Sequence, residues 1–148
     1  MKKTLINGLL FIIAGFIIGN FIFGNSKEII KNIQKKDIYY FLQEGVYKDK
    51  ESLKKNLNIL PNKTYDITNN EYHVYLGITK DYEVAEKLMS IYDKKGYKTY
   101  LKKKRIQSPK FSKNINQFDS LIKVTNEEDK ILTIEEIVLA NYMEIINK

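Results

Sequence analysis

Residues 43–57 read QEGVYKDKESLKKNL, and 75–89 read YLGITKDYEVAEKLM, the same phrase repeated 32 residues later. The copies share Gly45/Gly77, Lys48/Lys80, Asp49/Asp81, Glu51/Glu83 and Lys55/Lys87, and keep apolar character at Val46/Ile78 and Leu57/Met89. Each copy starts as a strand: DIYYFLQEG (37–45) and EYHVYLG (71–77) are rich in aromatic and β-branched residues and end on a glycine. Each continues as a helix, with Leu53, Leu57 and Leu60 in the first and Ala85, Leu88, Met89 and Tyr92 in the second at helical spacing. Asp49 and Asp81 occupy the N-cap positions, and Gly96 stands where a helix C′ glycine belongs. A second strand follows each helix, at 64–68 and at 97–103. The order is β-α-β-β-α-β, so the repeated phrase is the strand-to-helix joint of each half. Two such halves make an α+β, two-layer sandwich, with a four-stranded antiparallel sheet, both helices on one face and the other face open.

Strand alternation then sorts the side chains. Tyr40, Leu42, Tyr72, Val74 and Leu76 face the helices, together with Tyr97, Thr99 and Leu101 of the last strand. Glu44 breaks that pattern and belongs near a rim. The alternate set, Phe41, Gln43, His73, Tyr75, Lys98, Tyr100 and Lys102, lies on the open face. Aromatic rings beside amide, imidazole and ammonium groups form a platform for a flat ligand, with rings to stack on and polar groups to orient it.

Ahead of this domain, MKKTLINGLLFIIAGFIIGNFIFGN places two lysines before 19 uncharged residues, Leu5 to Phe23. At about 1.5 Å per residue, such a helix crosses a hydrocarbon core of roughly 30 Å. A cleaved signal peptide is the competing reading. The apolar run is long for one, and no small-x-small site follows it. An uncleaved anchor over 1–25 with a linker over 26–37 is therefore expected. The short basic N-terminus argues for residues 26–148 outside the cytoplasmic membrane, while Lys27, Lys31, Lys35 and Lys36 beyond the span argue the other way. Gly15 and Gly19 have the spacing of a helix-pairing motif but are equally ordinary residues of a span.

The residues of the repeat resemble the SPOR domains of bacterial cell-envelope proteins. YFLQEGVYKDKESLKKNL (40–57), with Gln43, Gly45 and Tyr47 in the motif positions, is similar to the first half of that pattern. YHVYLGITKDYEVAEKLMSIYDKKGYKTYL (72–101), with Gly96-Tyr97, is similar to the second. The resemblance covers about 38–104. It implies a ribonucleoprotein-like sandwich hung from a single N-terminal span outside the cytoplasmic membrane. It also implies binding of peptidoglycan glycan strands at division or sporulation sites, with the ligand across the sheet face and the motif glutamine in contact. Ligand-binding residues on this reading are Phe41, Gln43, Tyr47, His73, Tyr75 and Tyr100. Two positions depart from the family: Val46 replaces the serine after the motif glycine, removing a polar contact, and Tyr47 replaces a phenylalanine.

Other candidates give little chemistry. Cysteine is absent and His73 is the lone histidine, so no metal or thiolate site is expected. No catalytic triad pattern or Gly-rich phosphate loop occurs, and neither enzymatic activity nor a cofactor is expected. The formal charge is +7, but 24 Lys, 22 Ile and 14 Asn reflect AT-rich coding bias more than an acidic partner. KKKR (102–105) resembles a nucleic-acid patch and equally resembles lysines guarding a sheet edge. RNA binding on this topology needs a cytoplasmic domain, which the anchor disfavours.

The tail, 106–148, carries 5 basic and 7 acidic residues against 18 and 11 in 27–105. IQSPKFSKN reads as a linker broken at Pro109. INQFDSLIKV reads as a short helix and EEDKILTIEEIVLANYMEIIN as a longer one, with Ile131, Ile134, Val138, Tyr142 and Ile145 in a stripe. Glu127, Glu128 and Asp129 match a helix N-terminal dipole, with Thr125 and Glu128 in capping-box spacing. The stripe packs on the domain or on the shorter helix, or else docks a partner. Taken together, the sequence predicts a single-pass, non-enzymatic envelope protein. It binds glycan strands through the SPOR-like domain (38–105) and has a septal or sporulation protein as a further partner. The alternative is a protein-interaction adaptor at the membrane that has lost glycan binding.

Overall fold

The structure, a computed structural model, describes residues 37–147; the expected membrane anchor and linker lie outside the described residues. Among the described residues, no helix is long and apolar enough to cross a membrane. The elements run β1 (Asp37–Tyr47), α1 (Lys50–Leu57), β2 (Thr64–Thr68), β3 (Glu71–Thr79), α2 (Tyr82–Lys94), β4 (Tyr100–Ile106), α3 (Pro109–Val124) and α4 (Glu128–Ile146). The first six follow the β-α-β-β-α-β order of the repeat. The strands form one antiparallel sheet in the order β2-β3-β1-β4, with the first and third strands adjacent as the topology requires.

Local chemistry sets the element ends. Asp49 accepts from the Ser52 N–H at 2.8 Å, and Asp81 from Glu83 and Val84 N–H groups at 2.9 and 3.3 Å, so both repeated aspartates are N-caps. Gly96 ends α2 at φ +86°, a conformation that side chains disfavour. The tight β2–β3 turn places Asn69 and Asn70 at φ 52° and 62°, two consecutive left-handed residues that match the twist of a two-residue hairpin.

The repeated glycines serve packing. A Cβ on Gly45 would come within 2.9 Å of the Tyr47 hydroxyl and 3.1 Å of its ring, so glycine leaves room for that ring. A Cβ on Gly77 would meet Leu42 and Leu88 at 3.4 Å, where α2 lies close against the sheet.

The sheet is irregular at its centre. Leu42 pairs with Gly77, Gln43 with Tyr75 and Gly45 with Val74, so Leu76 on β3 and Glu44 on β1 are each an extra residue. The two bulges offset one another and restore the register. Glu44, which interrupts the alternation in sequence, is thus the bulged residue of β1, and it accepts a 2.7 Å hydrogen bond from the Tyr47 hydroxyl.

Three expectations need correcting. The last strand begins at Tyr100, three residues late, and runs through the whole of KKKR. Pro109 opens α3 at its N-terminus, with Ser108 as the cap accepting from the Phe111 N–H at 3.3 Å. The linker motif was therefore a helix start. Finally, the second sheet face is not open. Both tail helices pack on it, and the described residues form one compact unit with the tail included.

Candidate functional site

Cross-strand partners identify the face opposite α1 and α2. Phe41 stands across from Lys102, Tyr39 from Lys104, Gln43 from both Tyr75 and Tyr100, Val46 from His73, and His73 from Asp66. Directly opposed residues in a sheet project to the same side. Of the expected platform, Phe41, Gln43, His73, Tyr75, Tyr100 and Lys102 therefore lie on one face, while Lys98 precedes β4 and has no strand partner among the described residues. Tyr47 pairs with Tyr72, one position out of phase with His73 and Tyr75, and so belongs to the other side.

The tail divides the platform. Over its first half, the α4 residue Tyr142 packs edge-on against Phe41 at 5.1 Å, and the α3 residue Phe111 lies 5.4 Å from Tyr39. Phe41 and Tyr75 contact each other at 4.9 Å and are 0 % and 1 % exposed. Phe41, expected to meet a ligand, packs on Tyr142 of the tail, and Tyr75 packs on Phe41. Gln43, 7 % exposed, lies at the margin of the covered zone, where its side-chain oxygen is 3.3 Å from a His73 ring nitrogen. Beyond it the face is accessible, with Tyr100 64 % and Val46 41 % exposed and His73 half-buried.

A polar knot binds the tail to the covered half. Asp66 on β2 accepts from the Tyr142 hydroxyl at 2.8 Å and the Tyr75 hydroxyl at 3.3 Å, and forms an ion pair with Lys104 on β4. The Lys104 ammonium also lies 5.1 Å and 4.8 Å above the Phe41 and Tyr75 rings, where their negative π-faces favour a cation. Burial, followed by the Asp66 carboxylate, pushes both phenols above the ordinary tyrosine range, so they remain donors.

Each tail helix also inserts one carboxylate at the open flank of β3. β2 stops opposite Tyr75, leaving the rest of β3 without a strand on that side. Glu135 accepts from the Ile78 N–H at 2.6 Å there, and Asp119 from the Thr79 hydroxyl at 2.6 Å and the Lys80 N–H at 3.0 Å. These side chains satisfy backbone donors that a longer β2 would have paired. Glu135 is 0 % exposed and its Oε2 lacks a hydrogen-bond partner. Burial holds its pKa well above the usual carboxylate range, while burial raises that of Asp119 to about 6.

Sequence reasoning missed Asp66, Lys104, Asp119 and Glu135. Two of them left a signal: Asp119 falls four residues after Ile115 and three before Ile122, and Glu135 four after Ile131 and three before Val138. A carboxylate inside an apolar stripe at the same step in both helices marks a buried acceptor. Among the described residues no cluster of His, Asp and Glu has the arrangement of a metal site. The arrangement offers stacking, hydrogen bonding and charge. Compared with protein-family models, curated proteins and solved structures, the chain matches none.

Proposed function

We propose that this chain is a non-enzymatic interaction adaptor, held at the cytoplasmic membrane by its N-terminal apolar segment with the folded domain on the outer side. Its fold is a SPOR-like sandwich whose ligand face has been turned inward. One observation carries this reading over glycan binding: Phe41 and Tyr75, the rings on which a sugar would stack, are buried, Phe41 against Tyr142 of α4 and Tyr75 against Phe41. A glycan strand crossing the sheet would have to displace two helices and uncover Asp66, Asp119 and Glu135. Val46, in place of the family serine, removes a polar contact from the part of the face that stays accessible.

Glycan binding keeps one specific support, the Gln43–His73 pair beside the exposed Tyr100 ring. Purified cell-wall sacculi, native and amidase-treated, separate the two readings. The adaptor reading requires the full chain to stay in the supernatant. Retention on sacculi that is lost in the Gln43→Ala/Tyr100→Ala variant returns glycan binding to first place. Sidedness has its own test: a cysteine placed at exposed Asn147 should react with an impermeant thiol reagent in intact cells.

A further inference from the structure

We infer that the outer edge of β4, with the groove between β4 and α2, is the docking site for an extended acidic segment of a protein partner. The inference rests on the adaptor reading and gives that reading a surface. Among the described residues β4 is the terminal strand of the sheet, hydrogen-bonded to β1 on one side, and its other side has a ladder of donors and acceptors that no described strand pairs. Seven residues, Tyr100–Ile106, offer about 23 Å of edge at about 3.3 Å per residue. Beside the start of this edge is a solvent-open groove of about 500 Å³ between Met89, Ser90 and Asp93 of α2 and Lys98, Thr99 and Tyr100. Met89 is half-buried, so the groove has an apolar floor; Tyr100 borders it at the start of the edge, with its ring on the opposite face of the sheet. A strand added to a sheet edge gains affinity from the main chain and specificity from such a recess for a side chain.

Charge selects the occupant. Lys98, Lys102, Lys103 and Arg105 are all exposed, and none makes a salt bridge among the described residues. Asp93 is the single carboxylate lining the groove. A second copy of the chain fits badly: antiparallel β4–β4 pairing centred on Lys103 would set Lys103 against Lys103 and Lys102 against Lys104. Like charges directly opposed across strands are destabilising. The lysines thus guard the edge against self-association. An acidic strand reverses the sign of every one of those contacts. A phosphate backbone would answer the cations but, having no donors, would leave the β4 carbonyls unpaired.

The test uses the full chain in nonionic-detergent micelles, with hydrogen exchange read over 100–106. The probe is an end-blocked octapeptide alternating glutamate and valine; the comparison probes are its lysine–valine counterpart and an oligothymidylate of equal charge. The proposal expects the acidic peptide alone to slow exchange in β4 several-fold. That protection should weaken with added salt and be lost in Lys103→Glu/Arg105→Glu, whose exposed positions leave the far-UV circular dichroism unchanged. Unchanged exchange with the acidic peptide overturns the proposal. So does equal protection by the lysine peptide, stronger protection by the oligonucleotide, or protection that rises with protein concentration alone. The sacculus experiment bears on the adaptor reading and leaves the β4 exchange pattern untouched, so the two failures are distinguishable.

Discussion

The two faces of this sheet are closed by different chemistry. Against one face, α1 and α2 bury Leu53, Val84, Ala85, Leu88, Ile91 and Tyr92, apolar side chains from helices that directly follow the strands they cover. Against the other, α3 and α4 return from the end of the chain and close a surface containing Lys104, Asp66, Asp119 and Glu135. The first face is sealed by burying hydrocarbon, which carries no titrating group and so does not respond to pH. The second mixes aromatic contacts with carboxylates whose burial is unfavourable when charged. Both are closed, but only the second can be opened by a change of conditions.

The sharpest test of equivalence is to remove one large side chain from each. Leu88→Ala, on the buried side of α2, should cost about 2–5 kcal/mol, and Phe41→Ala, beneath α4, about 3–5 kcal/mol. Urea unfolding followed by far-UV circular dichroism gives both values. A ligand platform exposed to water would make Phe41→Ala nearly neutral, and that result would show that the tail does not close the face in solution.

The second test uses the carboxylates. Asp119 has its pKa raised to about 6 by burial, and Glu135 is raised further. A carboxyl group with a raised folded-state pKa holds its proton more tightly when folded. Its contribution to stability is fully present below the ordinary pKa near 4 and is lost as pH rises through the folded value. Stability should therefore fall between about pH 4 and pH 7, by on the order of 1–3 kcal/mol for Asp119. Below that window, exposed Asp49 and half-buried Asp81, whose pKa values are lowered, oppose the trend. Asp119→Asn should flatten the thermal-denaturation profile across pH 4–7, whereas Leu88→Ala should lower it at every pH without changing its shape.

The same contrast explains what the sequence made legible. The α1/α2 face is built from contacts close along the chain, so the repeat, the two aspartate caps and the 3.6-residue spacing were enough to place it. The pleat also placed Phe41, Gln43, His73, Tyr75 and Tyr100 on one side correctly. What covers that side depends on contacts such as Phe41 to Tyr142 and Asp66 to Tyr142, far apart in sequence, which no local pattern encodes. The tail stripe showed that something would be buried, but not against what. Ser108-Pro109 was read as a break because proline signals a loop and a helix start equally well. Tyr47, a ligand residue only by the family resemblance, lies on the other side because the bulge at Glu44 shifts the phase after it.

Within the tail-covered face, Tyr142→Phe probes the polar knot alone. The ring and its contact with Phe41 remain, while the donor to Asp66 is lost. Because Lys104 still pairs with Asp66, the cost should be about 1 kcal/mol. A cost near zero would mean that water replaces the hydroxyl and that the knot is solvated.

The smallest expected effect locates the boundary between covered and accessible halves of this face. Tyr100 and Phe41 are both on it, yet Tyr100 is 64 % exposed and Phe41 0 %. Tyr100 has no ring–ring contact among the described residues, whereas Phe41 touches Tyr75, Tyr142 and the Lys104 ammonium. Truncating a side chain that is already mostly hydrated exposes little new apolar surface and leaves no cavity. Tyr100→Ala should thus change unfolding stability by less than about 0.5 kcal/mol, the ordinary range for surface substitutions. The contrast with about 3–5 kcal/mol for Phe41→Ala sets two aromatic residues of one face on opposite sides of the tail's margin. If Tyr100→Ala instead costs more than about 1 kcal/mol, its ring is covered in solution and the tail's margin lies beyond it.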